Sequence, residues 1–423
     1  MIKLATRDKC TGCAACHNAC GKNAICMKAD AEGFLFPVID EAKCVECHLC
    51  EKSCPVLTVE SPKNTAEPKA FALWSLKDRT VSSSGGAFSA FARLILEKDG
   101  IVFGAAFDKN LKCKHIGVTD ITSLNALQGS KYVQSNIGNA FKQVRESLRE
   151  EKYVLFCGTP CQIAGLKAYL RKDYDKLLTL DLACHGVPSQ AVFDAYISKL
   201  STRFAGFSHI DGFEFRQRDR WGKSPSVSLD GKFRLIFGTD NLYMEAFDKS
   251  MTFRKSCYTC QFAELPRVGD CSIADFWGIG RHGKSFKHDT KQGVSLVLVN
   301  NEKGARYLKD LKDVFIEVRS LDEALIENHN LLHPSKQHAR RDALIKSFLN
   351  DGDSLSDIDA EFHIVNRNIK SIIKEYATKW HMFDFAKSIY EMMLTKVNSG
   401  GVNSTPVYQF FHIPSQTTYQ VAA

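Results

Sequence analysis

Cys10, Cys13, Cys16 and Cys20 form a C-x2-C-x2-C-x3-C run. The run recurs 34 residues later as Cys44, Cys47, Cys50 and Cys54, with Pro55 after the last. Eight thiols at this spacing constrain a short chain more tightly than any hydrophobic pattern does. One such loop wraps three thiolates around a cubane 4Fe–4S cluster, and the fourth cysteine of each run reaches across to the other cluster. The expected ligand sets are Cys10, Cys13, Cys16 and Cys54 for one cluster, and Cys44, Cys47, Cys50 and Cys20 for the other.

A duplicated run of this kind is the mark of a two-cluster bacterial ferredoxin, so residues 1–57 are read as a ferredoxin-like domain that conducts electrons. Its core is too small to fold on apolar burial alone, and cluster binding is expected to supply most of its stability. Sixteen cysteines in 423 residues also raise the alternative of a secreted disulfide scaffold. Against it, no apolar segment precedes Cys10 and the cysteines sit at metal-ligand spacings, so a reducing, cytoplasmic location is expected. No apolar run approaches the roughly 18 residues of a membrane helix, so no transmembrane segment is expected. The formal charge is +8. A 4Fe–4S core with its four thiolates carries about −2, so three clusters would leave the chain near +2. No basic block is interleaved with aromatics, and no nucleic-acid partner is expected.

The polar stretch 58–69 contains Pro62 and Pro68 and reads as a linker. A 34-residue offset also matches a helical-repeat period, but the rest of the chain does not repeat. From residue 70 onward strand and helix patterns alternate. Strands are expected at 70–76, 101–107, 153–156 and 177–182, and helices at 87–98, 137–150, 162–171 and 190–200. Later, 226–229 and 232–237 flank Asp230-Gly231, a good hairpin turn, and 294–299 is another apolar strand. The expected fold is α+β in the ferredoxin-like domain and α/β over 70–320, with a mixed, largely parallel sheet. A helical C-terminal region follows over 321–396. The tail 397–423, rich in Ser, Thr, Asn and Gln, is expected to be poorly ordered.

Besides Cys26, seven cysteines lie outside the two runs: Cys113, Cys157, Cys161, Cys184, Cys257, Cys260 and Cys271. The strand 153–156, the turn Cys157-Gly-Thr-Pro-Cys161, the following helix and the strand 177–182 form a βαβ unit. Its two strands should be parallel neighbours with a right-handed crossover. Cys161 and Cys184 then lie just past the carboxyl ends of adjacent strands, where open α/β sheets bind ligands. Cys257-Tyr-Thr-Cys260 offers two further thiolates at C-x2-C spacing. Structural zinc takes the same four thiolates, and a free Cys257/Cys260 dithiol also fits C-x2-C, although no thioredoxin-like βαβ pattern surrounds it. A third 4Fe–4S cluster is the expectation, because a chain with two clusters has a use for a relay. Core packing is expected for Cys26, Cys113, Cys157 and Cys271.

Three loops carry groups that a flavin requires. Ser82-Ser-Ser-Gly85-Gly86 precedes a helix, where serines cap and glycines admit a phosphate to the first N–H groups. Gln128-Gly-Ser-Lys131-Tyr132-Val-Gln134-Ser135 offers a cation, an aromatic face and amide and hydroxyl donors. Gly158-Thr159-Pro160 is a tight turn beside Cys161. Read without further information, each is equally an ordinary cap or solvated turn.

Taken together, Ser83-Ser-Gly-Gly-Ala-Phe88, Gly129-Ser-Lys-Tyr-Val-Gln134, Gly158-Thr-Pro-Cys-Gln-Ile-Ala-Gly-Leu166, Cys184-His-Gly-Val-Pro188, Cys257-Tyr-Thr-Cys260, Asp275-Phe-Trp-Gly278 and Asn330-Leu-Leu-His-Pro-Ser-Lys336 resemble the beta subunit of coenzyme F-420 hydrogenase/dehydrogenase. The resemblance spans roughly residues 70–350. The ferredoxin fusion resembles forms of that family found near bacterial polysaccharide-synthesis genes. It implies an FAD beside a 4Fe–4S cluster held by Cys161, Cys184, Cys257 and Cys260. It implies flavin contacts from Ser84, Gly85, Gly86, Ser130, Lys131, Tyr132, Gln134, Thr159 and Pro160. Cys271 stands where the family would have an apolar residue, which leaves a ligand exchange open.

The implied function is an oxidoreductase. An electron donor such as ferredoxin or a partner redox protein feeds the N-terminal clusters, and a small-molecule acceptor, a deazaflavin or another, takes electrons from the flavin. A non-catalytic electron-transfer subunit is the alternative. His185, next to a cluster cysteine, is the candidate proton donor; a hydrogen bond to a backbone carbonyl is the commoner use of such a histidine. Asp275 is expected to fix a nearby Lys or Arg, to contact the flavin ribityl chain, or to cap a helix.

Overall fold

The computed structural model describes residues 2–365, apart from 59–63, 205, 207–208 and 218–220. The expectations for the tail 397–423, and for the helical region beyond residue 365, lie outside the described residues.

The duplication in sequence is a duplication in structure. The helix Ala15–Ala19 follows one cysteine loop and the helix Leu49–Lys52, 34 residues on, follows the other. Between them β1 (Ile25–Ala29) and β2 (Leu35–Ile39) pair antiparallel, with Ile25 opposite Ile39. Asp30 closes their turn, its Oδ1 accepting from the N–H groups of Glu32 and Phe34.

The remaining strands are β3 (Lys69–Ser75), β4 (Ile101–Phe107), β5 (Cys113–Val118), β6 (Val154–Gly158), β7 (Leu177–Leu182), β8 (Gly212–Glu214), β9 (Ser226–Leu229), β10 (Lys232–Leu235), β11 (Cys271–Asp275), β12 (Ser295–Val299) and β13 (Val314–Arg319). Eight of them form one mixed sheet in the order β13-β3-β12-β11-β7-β6-β4-β5. Its centre, β11-β7-β6-β4, is parallel, and both flanks are antiparallel. The βαβ unit read from sequence is present: β6, the helix Pro160–Leu170 and β7 pair in parallel from Val154 opposite Leu177 to Gly158 opposite Asp181. The edge strand β13, against β3, lies just before the region read as helical, in a stretch for which no strand was expected. The β9–β10 hairpin turns at Asp230-Gly231, both at positive φ as the tight hairpin turn demands; β8 completes its small sheet.

Central strands bury side chains on both faces, as parallel strands do. In β6, Leu155 packs with the Ala87–Leu96 helix, while Val154 and Phe156 pack on the opposite face with the Pro160–Leu170 and Ala140–Arg149 helices. That second face also receives Cys13, Ala14 and Ala15 of the cysteine-rich module. A third cluster joins Phe34 and Phe36 of the module to Phe193, Tyr196 and Tyr243. It also takes in Leu344, Ile345 and Phe348 of the Arg341–Leu349 helix. Residues 1–365 accordingly form one compact unit. The stretch read as a linker is fastened at its described end. Asn64 Nδ2 donates to the carbonyls of Arg267 and Gly269 at 2.6 and 2.8 Å, and the Thr65 N–H donates to the Asn300 carbonyl.

Candidate metal centres and the adjoining cleft

Cys10, Cys13, Cys16 and Cys54 line one small cavity with Met27, Pro37 and Val56. The last cysteine of the second run thus faces the first three of the first run. Burial, and then the neighbouring Cys13, Cys10 and Cys54, push the Cys16 thiol far up. On the outer side of the module Cys44 is partly buried, Cys47 is exposed and Cys50 is buried, while Cys20 Sγ accepts from the Ala24 N–H at 3.2 Å.

A second cysteine group gathers at the carboxyl end of the parallel strands. Cys161 sits in the first turn of the Pro160–Leu170 helix. Thr159 is its N-cap and Pro160 its first residue; the Thr159 N–H donates to Gln162 Oε1, and Thr159 Oγ1 lies 3.2 Å from Cys161 Sγ. Cys184 follows β7 by two residues. Cys257 lies on a 3₁₀ turn, Lys255–Thr259, and Cys260 caps its end. Their loop is zipped to the Cys184 loop: Pro188 bridges Phe253 antiparallel, and the Arg254 N–H donates to the Val187 carbonyl at 3.0 Å. Gly186 is required there, with φ +139° and a Cβ position 2.3 Å from the Phe253 ring. Behind Cys260, the wholly buried Arg267 pairs with the wholly buried Asp181 of β7 at 2.6 Å, and also donates to the carbonyls of Phe262 and Leu182. This pair ties the loop after Cys260 to the strand end before Cys184.

The four thiols act on one another. Burial and then Cys257, Cys161 and Cys260 push Cys184 well above the usual thiol range. Burial, with Cys260 and Cys161 beside it, takes Cys257 to about 12, and burial with Cys161 takes Cys260 to about 11. Four such thiols ionise together only beside a compensating cationic core, and a 4Fe–4S cluster supplies one. The other three cysteines lie apart from this group. Cys113 has Lys131 for a charged neighbour, Cys157 has Asp181 and Lys131, and Cys271 has Asp270 and Asp181. Cys271 is fully buried, with its Sγ against Gly304. Among the described residues no three His, Cys, Asp or Glu side chains close on a point for a single bare ion, the eight N-terminal cysteines included.

The two cysteine groups adjoin. Cys13 Sγ lies 2.9 Å from the point a Cβ on Gly165 would occupy, one helical turn after Cys161. Burial lifts Cys13 to about 12, with Cys161 first among the neighbouring thiols that add to it.

The α/β domain also opens a cleft of about 350 Å³. Phe107, Lys109, Ser130, Lys131, Phe215 and Arg216 are among its walls. Arg216 is buried and holds Asp275, at the end of β11, through two hydrogen bonds of 2.5 and 3.0 Å; Trp221 Nε1 donates to the same carboxylate at 2.6 Å. Asp275 therefore fixes an arginine, one of the roles read from sequence. Trp221 stacks on Trp277 with centroids 4.9 Å apart.

Of the residues singled out for a flavin, Ser130 and Lys131 line this cleft. Lys131 Nζ donates to the carbonyls of Ala126 and Gln128. The Ser130 N–H donates to Ser83 Oγ at 2.9 Å, which joins the two loops. Ser84 Oγ donates to the Val294 carbonyl. Gly85 is pressed onto the sheet, its Cβ position 2.3 Å from the Leu73 carbonyl oxygen, and Gly86 caps the Ala87–Leu96 helix at φ +86°. Tyr132 packs against Phe215 and Phe247. Gln134 is engaged at both ends of its amide, donating to the Thr11 carbonyl and accepting from Arg254. His185 is half-buried, 6.3 Å from His329 ring to ring; burial and then Lys223 and His329 lower it to about 4, so it is neutral at pH 7. Arg216, Arg254, Arg267 and Asp181 escaped the sequence reading. A buried arginine leaves no periodic trace, and each partner is far away in the chain.

Residues 151–324 match the family model for the carboxy-terminal part of the coenzyme F420 hydrogenase/dehydrogenase beta subunit, and residues 9–57 match a 4Fe–4S dicluster domain. Among solved structures, a chain of the F420-reducing NiFe hydrogenase complex of Methanosarcina barkeri is similar at 15% identity with a TM-score of 0.41. That alignment covers 74% of this chain and 100% of that one. No curated protein matches. No helix among the described residues is long and apolar enough to cross a membrane.

Proposed function

We propose, for a chain whose residues 151–324 match the coenzyme F420 hydrogenase/dehydrogenase beta-subunit model and whose residues 9–57 match a 4Fe–4S dicluster domain, that it is an iron–sulfur flavoprotein oxidoreductase. Electrons enter at the N-terminal module and leave to a small organic acceptor. When bound, the clusters supply one-electron relay and FAD supplies its coupling to two-electron exchange.

The observation that carries the reading is the convergence of Cys161, Cys184, Cys257 and Cys260 next to Cys13. Those four side chains would hold the third cluster, with Arg267 and Asp181 fixing the loops that bear them. Lys131 and Arg216 at the cleft supply the positive charge that a pyrophosphate or a reduced ring favours, and Phe107 and Phe215 the apolar walls for a planar group. Thr159 and Pro160 set the helix start so that Cys161 points from its first turn. His185, next to Cys184, is the candidate for proton exchange near the flavin.

The test is anaerobic purification followed by iron, sulfide and flavin analysis. About twelve irons and one FAD per chain support the reading. About eight irons with one zinc remove the third cluster. Bound flavin that no organic acceptor reoxidises turns the reading into an electron-transfer subunit serving a separate enzyme.

A further inference from the structure

The N-terminal module does not hang from its linker. One side chain is the hub of its seat on the α/β domain. Arg254, 1% exposed, donates from Nε to the Cys10 carbonyl at 2.7 Å, from one terminal nitrogen to Gln134 Oε1 at 3.2 Å and from the other to the Leu35 carbonyl at 3.1 Å. Its guanidinium lies over the Phe36 ring, 4.0 Å from the centroid. Its own carbonyl accepts from the Cys257 N–H at 2.9 Å, and Ser256 Oγ is a second donor to the Cys10 carbonyl. The loop holding Cys10 and the loop holding Cys257 are thus one piece, joined through a buried cation and the Ser256 hydroxyl.

The seat also has a direction. Cys13 Sγ rests against Gly165 on the helix that carries Cys161. At the other set of N-terminal cysteines, Val45 is 59% exposed and Glu46, Cys47 and His48 are exposed with it.

We infer that Arg254 is a positioning residue that locks the module with its inner centre, at Cys10, Cys13, Cys16 and Cys54, facing the four-cysteine site. The outer centre, at Cys20, Cys44, Cys47 and Cys50, is the solvent-facing entrance for an external donor. The order of the relay is then outer, inner, inter-loop site. A fixed seat matters because tunnelling rates fall steeply with distance. Lysine cannot replace Arg254 fully, because the planar fork serves three acceptors at once. The inference rests on the reading that Cys161, Cys184, Cys257 and Cys260 hold a cluster.

The test uses the full-length holoprotein and the variants Arg254→Met and Arg254→Lys. Iron is counted first; about eight irons in the wild type would fail the function proposed above and leave the seat to be judged by the N-terminal signals alone. The reduced protein is then examined by electron paramagnetic resonance and redox titration. Arg254→Met should lose the magnetic splitting between the inner centre and the inter-loop centre and lower the potential of the inner centre. The splitting between the two N-terminal centres should stay, and Arg254→Lys should restore part of what is lost. Full splitting and an unchanged potential in Arg254→Met overturn the inference. Should that variant not fold, Gly165→Leu, which wedges against Cys13 with Arg254 intact, must lose the same splitting; its retention overturns the inference equally. With only eight irons, the inner-centre potential in Arg254→Met decides alone, and an unchanged value overturns it.

Discussion

Removing the Asp181 carboxylate should open the four-cysteine site and leave the N-terminal module loaded. In the native protein Asp181 Oδ1 accepts from Arg267 at 2.6 and 3.2 Å, and Oδ2 accepts from the Gly269 N–H at 2.6 Å, with neither ionic side chain exposed. Asp181→Ala strands a buried guanidinium, which costs about 3–5 kcal/mol, and an amide, which costs about 1–3 kcal/mol; the two overlap because the loop relaxes once. A net of about 4 kcal/mol is close to a thousandfold increase in the open population of the loop behind Cys260. The assay is an anaerobic chelator challenge with the iron remaining counted over time. About four irons should leave fast while about eight stay at the wild-type rate. The double variant Asp181→Leu with Arg267→Met should lose iron more slowly than the single, because no unpaired charge is left inside. Wild-type iron loss in Asp181→Ala, or a double variant as labile as the single, would refute the argument.

Three more outcomes are expected. Gly186→Ala puts a Cβ 2.3 Å from the Phe253 ring at a φ of +139° and should lower stability by about 2–4 kcal/mol, read as an earlier thermal transition with lost iron. His115 is buried between Ser135, the Cys157 carbonyl and the Phe156 ring, and burial lowers it from 6.5 to about 4. Between those two values the unfolded chain binds a proton that the folded chain does not. Stability is therefore lost as the pH drops through that window, by about 3 kcal/mol in all. His115→Gln should flatten that acid limb in unfolding curves, and an unchanged slope counts against it. Asp275→Ala takes from Arg216 the carboxylate it pairs with among the described residues and should cost about 3 kcal/mol. It should also reduce the flavin retained per chain at constant iron, measured by absorbance; full flavin content would separate the cleft from flavin binding.

Much of the architecture was legible because it is local. The β6–helix–β7 unit follows from apolar runs and a tight turn, and neighbouring parallel strands bring Cys161 and Cys184 to one sheet end without any distant information. The Asp230-Gly231 hairpin is a two-residue signal with two residues at positive φ. Less local features were not readable. β11 joins β7 only after a long excursion through the β8–β10 sheet, and β13 pairs with β3 from more than two hundred residues away. Pro62 and Pro68 suggest a free linker, yet Asn64 and Thr65 are bound down by partners near residues 267–300. Gln134 sits in a run that suits a flavin, and its amide is used at the module seat.

The spacing of the cysteines by itself marked out the two runs that match a 4Fe–4S dicluster domain over residues 9–57, since a loop of a few residues reaches its geometry through covalent length alone. Tertiary structure decided which of those loops faces the rest of the protein, and that four cysteines between residues 161 and 260 converge. Both depend on buried arginines, Arg254 and Arg267, whose acceptors come from distant segments. A charge inside the protein is tolerable only where all its partners have arrived together, and such an arrangement exists only once the chain has folded.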